Sequence, residues 1–227
     1  MKYHADAHDL IVIEDKLKRI LNLDPYVNPA KGYYVVSSLY FDDFQDDCYH
    51  NNEFSLGLRK KYRIRMYNRD RSVLILEKKE KENNKSHKTQ YRLTEEEYEQ
   101  IFYGNVGALY WQTNDPLLKE FTLEIMMRLF QPKVIVHYER TPYLYFPGNV
   151  RITLDQNIST SSEIDRFIDG SYSTIPILET GQHLLEIKYD EFLSEHIKQV
   201  AQMESLEQAT FSKYYLARKR SRNFGGI

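Results

Sequence analysis

The sequence has a single cysteine, Cys48, so no disulfide can form within the chain. A lone cysteine suits a reducing compartment. Long apolar runs are also missing, since the longest are stretches of a few residues such as Leu10 to Ile13. This excludes a membrane-spanning helix and a signal peptide. No solenoid-length repeat, low-complexity tract or linker stands out. Together these absences predict a soluble, cytoplasmic protein with no integral membrane segment.

The composition favours one domain that is rich in β-structure. The chain has 227 residues, of which 41% are hydrophobic and 14% aromatic, and it contains 19 Tyr and 11 Phe. This is enough for one sizeable core, and aromatic residues favour strands. We therefore predict a single domain over residues 1–227. The net charge is only −2, from 31 Lys plus Arg against 33 Asp plus Glu, so any anion site must arise from segregated charge.

The stretch from Leu58 to Arg65 is the most informative part of the chain. If it is a strand, Arg59, Lys61, Arg63 and Arg65 share one face. Four like charges on one face repel one another, and arginine cannot lose its proton. Such a row either lies in water, as on a protected edge strand, or binds an anion. Arginine suits the second role because its planar group matches phosphate oxygens.

The same pattern recurs in the next two predicted strands. Strands over 56–67, 72–79 and 87–93, separated by turn-like polar segments, indicate an antiparallel meander. The second places Glu77 and Lys79 on one face, and the third places Lys88, Gln90 and Arg92 on one face. Neighbouring rows can face the same side and form one basic surface.

The rest of the chain predicts helices and further strands. Helices are expected after Asp9, from Thr94 to about Tyr103, after Asp115-Pro116 with Pro132 as its stop, and over 191–205. Strands are expected over 33–41, 133–139, 150–156 and 183–189, and irregular loops over 159–173. Trp111 is expected to pack in the core. Four carboxylates between Asp42 and Asp47 are expected in a loop or a short helical turn. They are expected to be solvated and not to bind a metal, because their spacing is not that of a calcium site.

So many charged side chains on strands predict an α+β fold in which an antiparallel sheet closes into a β-barrel with a polar, basic lumen. Such a lumen would bind a chain of phosphates. Glu77 and Glu186 do not fit a pure anion site. They are explained if a divalent cation, Mg²⁺ or Mn²⁺, bridges carboxylate and phosphate oxygens. The alternative is that each glutamate forms ion pairs with neighbouring lysines.

Eight short motifs resemble, in order and spacing, the polyphosphate polymerase domain of the vacuolar transporter chaperone (VTC) family, within the triphosphate tunnel metalloenzyme (CYTH-like) superfamily. They are Tyr40-Phe41-Asp42, Arg63-Ile64-Arg65-Met66-Tyr67, Leu76-Glu77-Lys78-Lys79, Lys88-Thr89-Gln90-Tyr91-Arg92-Leu93-Thr94, Tyr138-Glu139-Arg140, Arg151-Ile152-Thr153-Leu154-Asp155, Leu185-Glu186-Ile187-Lys188-Tyr189 and Phe211-Ser212-Lys213-Tyr214. The resemblance covers nearly the whole chain and indicates a bacterial member.

The resemblance implies a fold, an activity and a set of site residues. The fold is an antiparallel β-barrel that forms a tunnel, with helices packed outside. The activity is metal-dependent transfer of the γ-phosphate of a nucleoside triphosphate, such as ATP, onto polyphosphate, with Mn²⁺ or Mg²⁺. The residues expected to line the tunnel and bind phosphates are Arg63, Arg65, Lys79, Lys88, Arg140, Arg151, Lys188 and Lys213, with Lys2 matching a lysine of the first strand. Arg92 is added to this set because it shares a face with Lys88 on the predicted strand over 87–93. Arg63, Arg65, Lys79 and Glu186 are the expected catalytic residues, with Glu186 as the metal ligand and Glu77 as a second candidate ligand.

The sequence departs from the family at three places. Relatives carry a basic and an acidic residue before the Lys-Tyr pair of the first strand, whereas here Met1 directly precedes Lys2-Tyr3. Because an acidic residue there can contribute to metal binding, we hypothesise that Met1 is an internal methionine of a longer reading frame. Gln90 and Thr210 stand where relatives often have cations, which predicts slightly weaker product binding.

Two alternative functions remain open. The tunnel could hydrolyse a small triphosphate, since relatives include triphosphatases and cyclases. It could instead bind polyphosphate or inositol phosphates without turnover. Nucleic acid is not expected as a partner, because aromatic residues do not alternate with cations on one face.

The basic run Arg218 to Arg222 is either a solvated helix face or a contact for a partner, for which a membrane protein is one candidate.

Overall fold

The structure is a computed structural model that describes residues 1–53, 59–82, 85–190, 192–201 and 204–224. The described residues form an α+β fold whose strands pair in antiparallel fashion, which confirms the predicted class. The strands are β1 (Lys2–Asp6), β2 (Asn22–Leu23), β3 (Tyr34–Asp42), β4 (Arg59–Tyr67), β5 (Asp70–Glu82), β6 (Lys85–Leu93), β7 (Gln131–Tyr145), β8 (Val150–Ser161), β9 (Ile175–Pro176) and β10 (Gln182–Lys188). The helices are α1 (Ala7–Lys18), α2 (Asp47–Glu53), α3 (Glu95–Phe102), α4 (Gly107–Gln112), α5 (Pro116–Arg128), α6 (Glu195–Val200) and α7 (Lys213–Phe224). Within these ranges no helix has both the length and the apolar character needed to cross a membrane.

The chain divides into two compact units that alternate along the sequence. The first unit comprises Met1–Val35, Tyr138–Ser159 and Pro176–Phe211, and the second comprises the intervening segments and the C-terminal helix α7. Strands β3, β7 and β8 contribute residues to both. The assignment of the whole chain to one domain stays a prediction.

In the first unit, one face of the sheet is apolar and the other is polar. Strand β1 pairs with β10, and β10 pairs with β8. The alternating residues Ile152, Leu154, Leu185 and Ile187 are fully buried, and the buried face of α1 belongs to the same apolar cluster. Because side chains alternate along a strand, the residues between them point to the opposite, polar face.

Helix α1 begins three residues earlier than the sequence predicts. Its N-cap is Asp6, whose side chain accepts a hydrogen bond from the backbone N–H of Asp9, while the Asp9 carboxylate accepts one from the N–H of Asp6. The two aspartates therefore form a capping box, and the prediction of Asp9 as the N-cap was wrong. The expected apolar face, which includes Leu10, Ile13 and Leu17, is buried.

The second unit contains the predicted meander. Strand β3 pairs with β4, β4 with β5, and β5 with β6. Tyr62, Ile64 and Met66 of β4 are fully buried on one face, and the Tyr62 ring stacks on Phe121 of α5 with centroids 4.7 Å apart. The cationic residues of β4 therefore lie on the opposite face. The predicted start of this strand, including Leu58, lies outside the described residues, as does the side chain of Arg59.

Two helix starts in the second unit confirm their sequence signals. Thr94 and Glu97 form the predicted capping box of α3, and Asp115 caps α5 with Pro116 at its first position. Helix α5 ends at Arg128, where Leu129 adopts a left-handed conformation (φ 55°). Pro132 lies within β7 and does not stop the helix.

Other sequence predictions need correction. Trp111 lies in α4 and is 81% exposed, so the expectation of core packing was wrong. Strand β7 continues through Thr141-Pro142, and β8 continues through residue 161, into the stretch predicted as loops. Helix α6 covers only Glu195–Val200 of the predicted 191–205, of which residues 191, 202 and 203 lie outside the described part of the chain.

Candidate functional site

Strands β4, β5 and β6 place three rows of side chains on the polar face of the second unit. Cross-strand register aligns Lys61 with Lys79 and Lys88, Arg63 with Glu77 and Gln90, and Arg65 with Ile75 and Arg92. These three rows hold six cations and one carboxylate. The predicted basic surface is therefore present, and adjacent like charges would destabilise it in the absence of a counter-ion.

The row of three lysines leaves one ammonium group without a protein partner. The Lys61 Nζ donates to Ser212 Oγ at 3.2 Å and lies 5.5 Å from the centroid of the Tyr214 ring. The Lys88 Nζ lies 2.7 Å from Glu77 Oε1. Lys79 between them is exposed, and no ion pair involves it among the residues that the structure describes. This side chain is therefore available to an anion.

Arg63 and Arg65 of β4 are held by side chains of β3, β4 and β5. Arg63 donates from Nε to Glu77 Oε2 at 2.6 Å and from Nη1 to the Tyr40 hydroxyl at 2.7 Å. Arg65 is 6% exposed, and its Nη1 lies 3.3 Å from the Tyr67 hydroxyl and 3.4 Å from Glu77 Oε1. Its Nε is buried with no hydrogen-bond partner in the described part of the protein. A buried donor of this kind favours an added acceptor.

Glu77 is the centre of this cluster. It is 1% exposed, and its Oε1 also accepts a hydrogen bond from Gln90 Nε2 at 2.6 Å. Burial alone would raise the pKa of Glu77, but Arg63, Arg65 and Lys88 hold that pKa far below its usual range. Partial burial lowers the pKa of Lys88, and Glu77 opposes this effect. Glu77 is therefore an ionised counter-ion to cations from three strands.

Two further predicted residues border this face, and one residue was missed. Lys213 is the first residue of α7, and its charge helps to lower the pKa of Tyr40. Arg92 is exposed and donates to the carbonyl oxygen of Ser72 at 3.1 Å. Tyr40 itself was not predicted as a site residue. Although burial would raise its pKa, Arg63 and Arg65 lower it overall. The sequence contained a signal for this residue. Tyr40 lies in one of the motifs, and side-chain alternation along the strand places it on the face opposite to the core residues Leu39 and Phe41.

The first unit has a charged cluster of its own around Arg140. Arg140 binds Asp155 with two hydrogen bonds, Nε to Oδ1 at 2.6 Å and Nη2 to Oδ2 at 2.7 Å. Both residues are buried, and Asp155 is fully so. Burial alone would lower the pKa of Arg140, but Asp155 raises that pKa well above its ordinary value. Sequence reasoning named Arg140 as a phosphate ligand but did not predict that Asp155 would neutralise it.

The remaining predicted cations of the first unit lie on the strands around Glu186. Register aligns Lys2 with Glu186 and Thr153, and Lys188 with Arg151. The Lys2 ammonium donates to the Phe211 carbonyl oxygen. Arg151 binds Asp24 Oδ2 at 2.9 Å, and Lys188 is largely exposed, 3.7 Å from Glu186 Oε1. The structure therefore brings Lys2, Arg140, Arg151, Lys188 and Glu186 together on one face.

Glu186 fits a divalent metal better than Glu77 does. Two ion pairs of its carboxylate are long, 3.6 Å to Arg140 and 3.7 Å to Lys188, and its side chain is 13% exposed. The neighbouring Thr153 hydroxyl is buried, and no hydrogen-bond partner for it occurs among the described residues. No group of three or more His, Cys, Asp or Glu side chains suited to a metal occurs within the described residues. Among these side chains Glu186 would therefore bind a metal with at most one other, as is common for Mg²⁺ bound with substrate oxygens.

The acidic segment between Asp42 and Asp47 differs from the prediction of a solvated segment. Asp42 is fully buried and accepts hydrogen bonds from the backbone N–H groups of Cys48 and Tyr49 and from the Tyr214 hydroxyl. Asp46 binds Arg218 of α7 at 2.5 Å. These carboxylates connect α2 to α7, and part of the basic C-terminal run thus has a structural partner.

The comparisons with known proteins place the chain in a family. The sequence matches the VTC domain over residues 1–221. No curated protein matches it. Among solved structures, the putative adenylyl cyclase HpAC1 from Hippeastrum, which is described as having a dominant triphosphatase activity, has 12% identity and a TM-score of 0.53, with 96% of this chain and 95% of that chain covered.

Two other solved structures are similar. A putative adenylate cyclase from Bacillus halodurans has 12% identity and a TM-score of 0.53, with coverage of 93% of this chain and 91% of that chain. The PH1819 protein from Pyrococcus horikoshii OT3 has 14% identity and a TM-score of 0.49, with coverage of 96% and 98%. The two putative cyclases share the fold. Because the family match spans nearly the entire sequence, the chain belongs to the VTC domain family.

Proposed function

We propose that this protein is a metal-dependent polyphosphate polymerase, which transfers the γ-phosphate of a nucleoside triphosphate onto a polyphosphate chain. The observation that carries the proposal is the alignment of Lys61, Lys79 and Lys88 beside Arg63 and Arg65 on one face of β4, β5 and β6. Membership of the VTC domain family supports it.

The cationic face suits the binding of a chain of phosphoryl groups. Each charge-assisted hydrogen bond to a phosphate oxygen contributes about 1.5–3 kcal/mol. The exposed Lys79 and the Nε of Arg65 offer donors that no group in the described ranges uses. Phosphoryl transfer needs positioned groups and stabilised charge more than covalent chemistry from side chains. The face supplies such groups from three adjacent strands.

In this proposal Glu186 holds Mn²⁺ or Mg²⁺. The metal, when bound, would neutralise negative charge on the phosphate oxygens. Lys188 and Arg140 lie within 4 Å of the Glu186 carboxylate and orient it. Lys2, next to Glu186 in register, and Arg151, next to Lys188, add positive charge on the same face.

A triphosphatase is the second candidate. It is favoured by the fold shared with HpAC1, which is described as having a dominant triphosphatase activity. The same cations would bind a small triphosphate, and water in place of a phosphate chain would accept the transferred group. The proposed phosphate site is common to both activities.

Incubation with ATP and Mn²⁺ separates the two activities. A polymerase yields a ladder of long polyphosphate on a polyacrylamide gel, whereas a triphosphatase releases only free phosphate or short products. We expect the ladder from the wild type and its loss in the Glu186→Gln variant, with Arg19→Gln, at the exposed residue that follows α1, as the control. Tripolyphosphate binding without any turnover would contradict both activities.

A further inference from the structure

Glu77 is the residue of the cationic face whose surroundings least fit the predicted role. Its two oxygens accept from Arg63 Nε, Lys88 Nζ and Gln90 Nε2 at 2.6–2.7 Å, with Arg65 Nη1 at 3.4 Å. Lys88, Gln90 and Arg65 approach Oε1, and Arg63 approaches Oε2. A carboxylate has about four lone pairs, two on each oxygen, so Oε1 has no lone pair left and Oε2 has at most one. A metal ion at Glu77 would also have to lie among three cations.

The donors come from both sides of Glu77. Arg63 and Arg65 lie on β4, whereas Lys88 and Gln90 lie on β6. The carboxylate thus joins cations of two strands that do not pair with each other, and it offsets their repulsion. The second Arg63 hydrogen bond, to Tyr40, fixes the other side of its guanidinium group.

We propose that Glu77 is a positioning residue that acts as an internal counter-ion for the phosphate-binding cations and does not bind metal. The inference rests on the proposed phosphate-binding function. Glu77 holds Arg63, Arg65 and Lys88 in place in the absence of substrate, and it competes for their positive charge when a phosphate chain binds. The protein therefore gains an ordered, stable site and loses some affinity for the anion.

The counter-ion role and a metal-ligand role predict opposite effects of Glu77→Gln. The amide has nearly the same shape but no charge. Without the competing charge, metal-free tripolyphosphate should bind about tenfold more tightly, as expected for removal of one nearby charge in a partly buried site. Mn²⁺ affinity should be unchanged. The unliganded variant should lose about 10 °C in Tm, because three cations lose their counter-ion. Added tripolyphosphate should raise the Tm of the variant by more than it raises the Tm of the wild type.

Calorimetric titration of the full chain with tripolyphosphate in EDTA, and separately with MnCl₂, tests this. The matched control is Glu80→Gln, since Glu80 follows on the same strand but lies with Lys60 and Lys78 on the opposite face. We expect both of its affinities to equal those of the wild type.

Loss of Mn²⁺ binding by Glu77→Gln, at unchanged metal-free tripolyphosphate affinity, would overturn the inference and leave the proposed function intact. Absence of tripolyphosphate binding by the wild type would instead overturn the proposed function itself, and the counter-ion role with it. If Glu77→Gln does not fold, Glu77→Asp, which keeps the negative charge, distinguishes the counter-ion role from the metal-ligand role. Unchanged Mn²⁺ affinity in that variant supports the counter-ion role, and a tenfold or greater loss of it contradicts that role.

Discussion

At the scale of single residues, burial and pairing separate cations that are equivalent in the sequence. Lys79 is exposed and makes no ion pair among the described residues, whereas Arg140 is buried and bound at two atoms by Asp155. The first can bind a ligand at no cost to the fold. The second has a partner whose charge it must neutralise. The two side chains should therefore respond differently to substitution.

Lys79→Gln should weaken tripolyphosphate binding about tenfold, because one phosphate contact is lost, and should change the free energy of unfolding by less than about 0.5 kcal/mol. Calorimetry and urea unfolding measure the two quantities. Lys18→Gln in α1 removes an exposed lysine from the other unit and serves as the control. Equal affinities of the Lys79→Gln variant and the wild type would remove Lys79 from the site.

Arg140→Leu should lower the free energy of unfolding by about 3–5 kcal/mol, because Asp155 then stays buried without its partner. Urea unfolding followed by circular dichroism measures the change. Combining the variant with Asp155→Leu should recover part of the loss. A destabilisation below about 1 kcal/mol would show that the Arg140–Asp155 ion pair contributes little to stability.

The sequence predicted which face each charged residue of β4, β5 and β6 occupies, since side-chain alternation is a local property. It did not predict their partners. The pairing of Arg63 with Glu77 and Tyr40, and of Arg140 with Asp155, depends on strand register. Register is set by packing between distant segments, which one sequence does not reveal.

At the scale of elements, the acidic segment before α2 shows how a helix end is held. Asp42 accepts hydrogen bonds from the N–H groups of Asp43, Cys48 and Tyr49. Two of these groups belong to the first turn of α2, whose donors have no partner within the helix. The Tyr214 hydroxyl of α7 also binds Asp42, so one carboxylate joins two helices.

Asp42→Asn should destabilise the protein by about 2–4 kcal/mol, because an amide cannot accept on both sides and the group is fully buried. Tyr214→Phe should cost less, since it removes one donor. A double-mutant cycle by urea unfolding measures their coupling. Additive effects of the two substitutions would contradict a direct link between α2 and α7.

Elements with a local signature were predictable, and those without one were not. The capping box of α3 and the Asp115-Pro116 start of α5 depend on a few adjacent residues, and both were confirmed. The shortness of α6 and the exposure of Trp111 depend on tertiary surroundings. The acidic segment looked solvated because its partners, Tyr214 and Arg218, are more than 170 residues away.

At the scale of the whole molecule, a nearly neutral chain segregates its charge. The net charge of −2 conceals the face on which six cations accompany one carboxylate. Burial also produces a pH dependence of stability. His137, in contact with Ser37 and Tyr172, is largely buried, and this burial lowers its pKa to about 4, with a smaller contribution from Arg69.

Stability should therefore fall in acid. The folded state binds the His137 proton less readily than the unfolded state, in which the pKa is about 6.5. The contribution of neutral His137 to the free energy of unfolding is complete above the unfolded-state pKa of about 6.5. It is lost as the pH falls toward 4, and the loss reaches about 3 kcal/mol at the lowest pH. Urea unfolding at pH 7 and pH 4.5 measures it. His137→Gln should show a smaller difference between the two conditions, and an identical difference would contradict the role of His137.

The binding of phosphate chains by the face formed by β4, β5 and β6 is tested most directly by calorimetric titration of tripolyphosphate into the wild type and into the triple variant Lys61→Gln, Lys79→Gln and Lys88→Gln. Circular dichroism would verify that the variant is folded. The wild type should bind, and the variant should bind at least about a hundredfold more weakly, since three charged contacts are lost. Equal affinities in a folded variant would contradict the account.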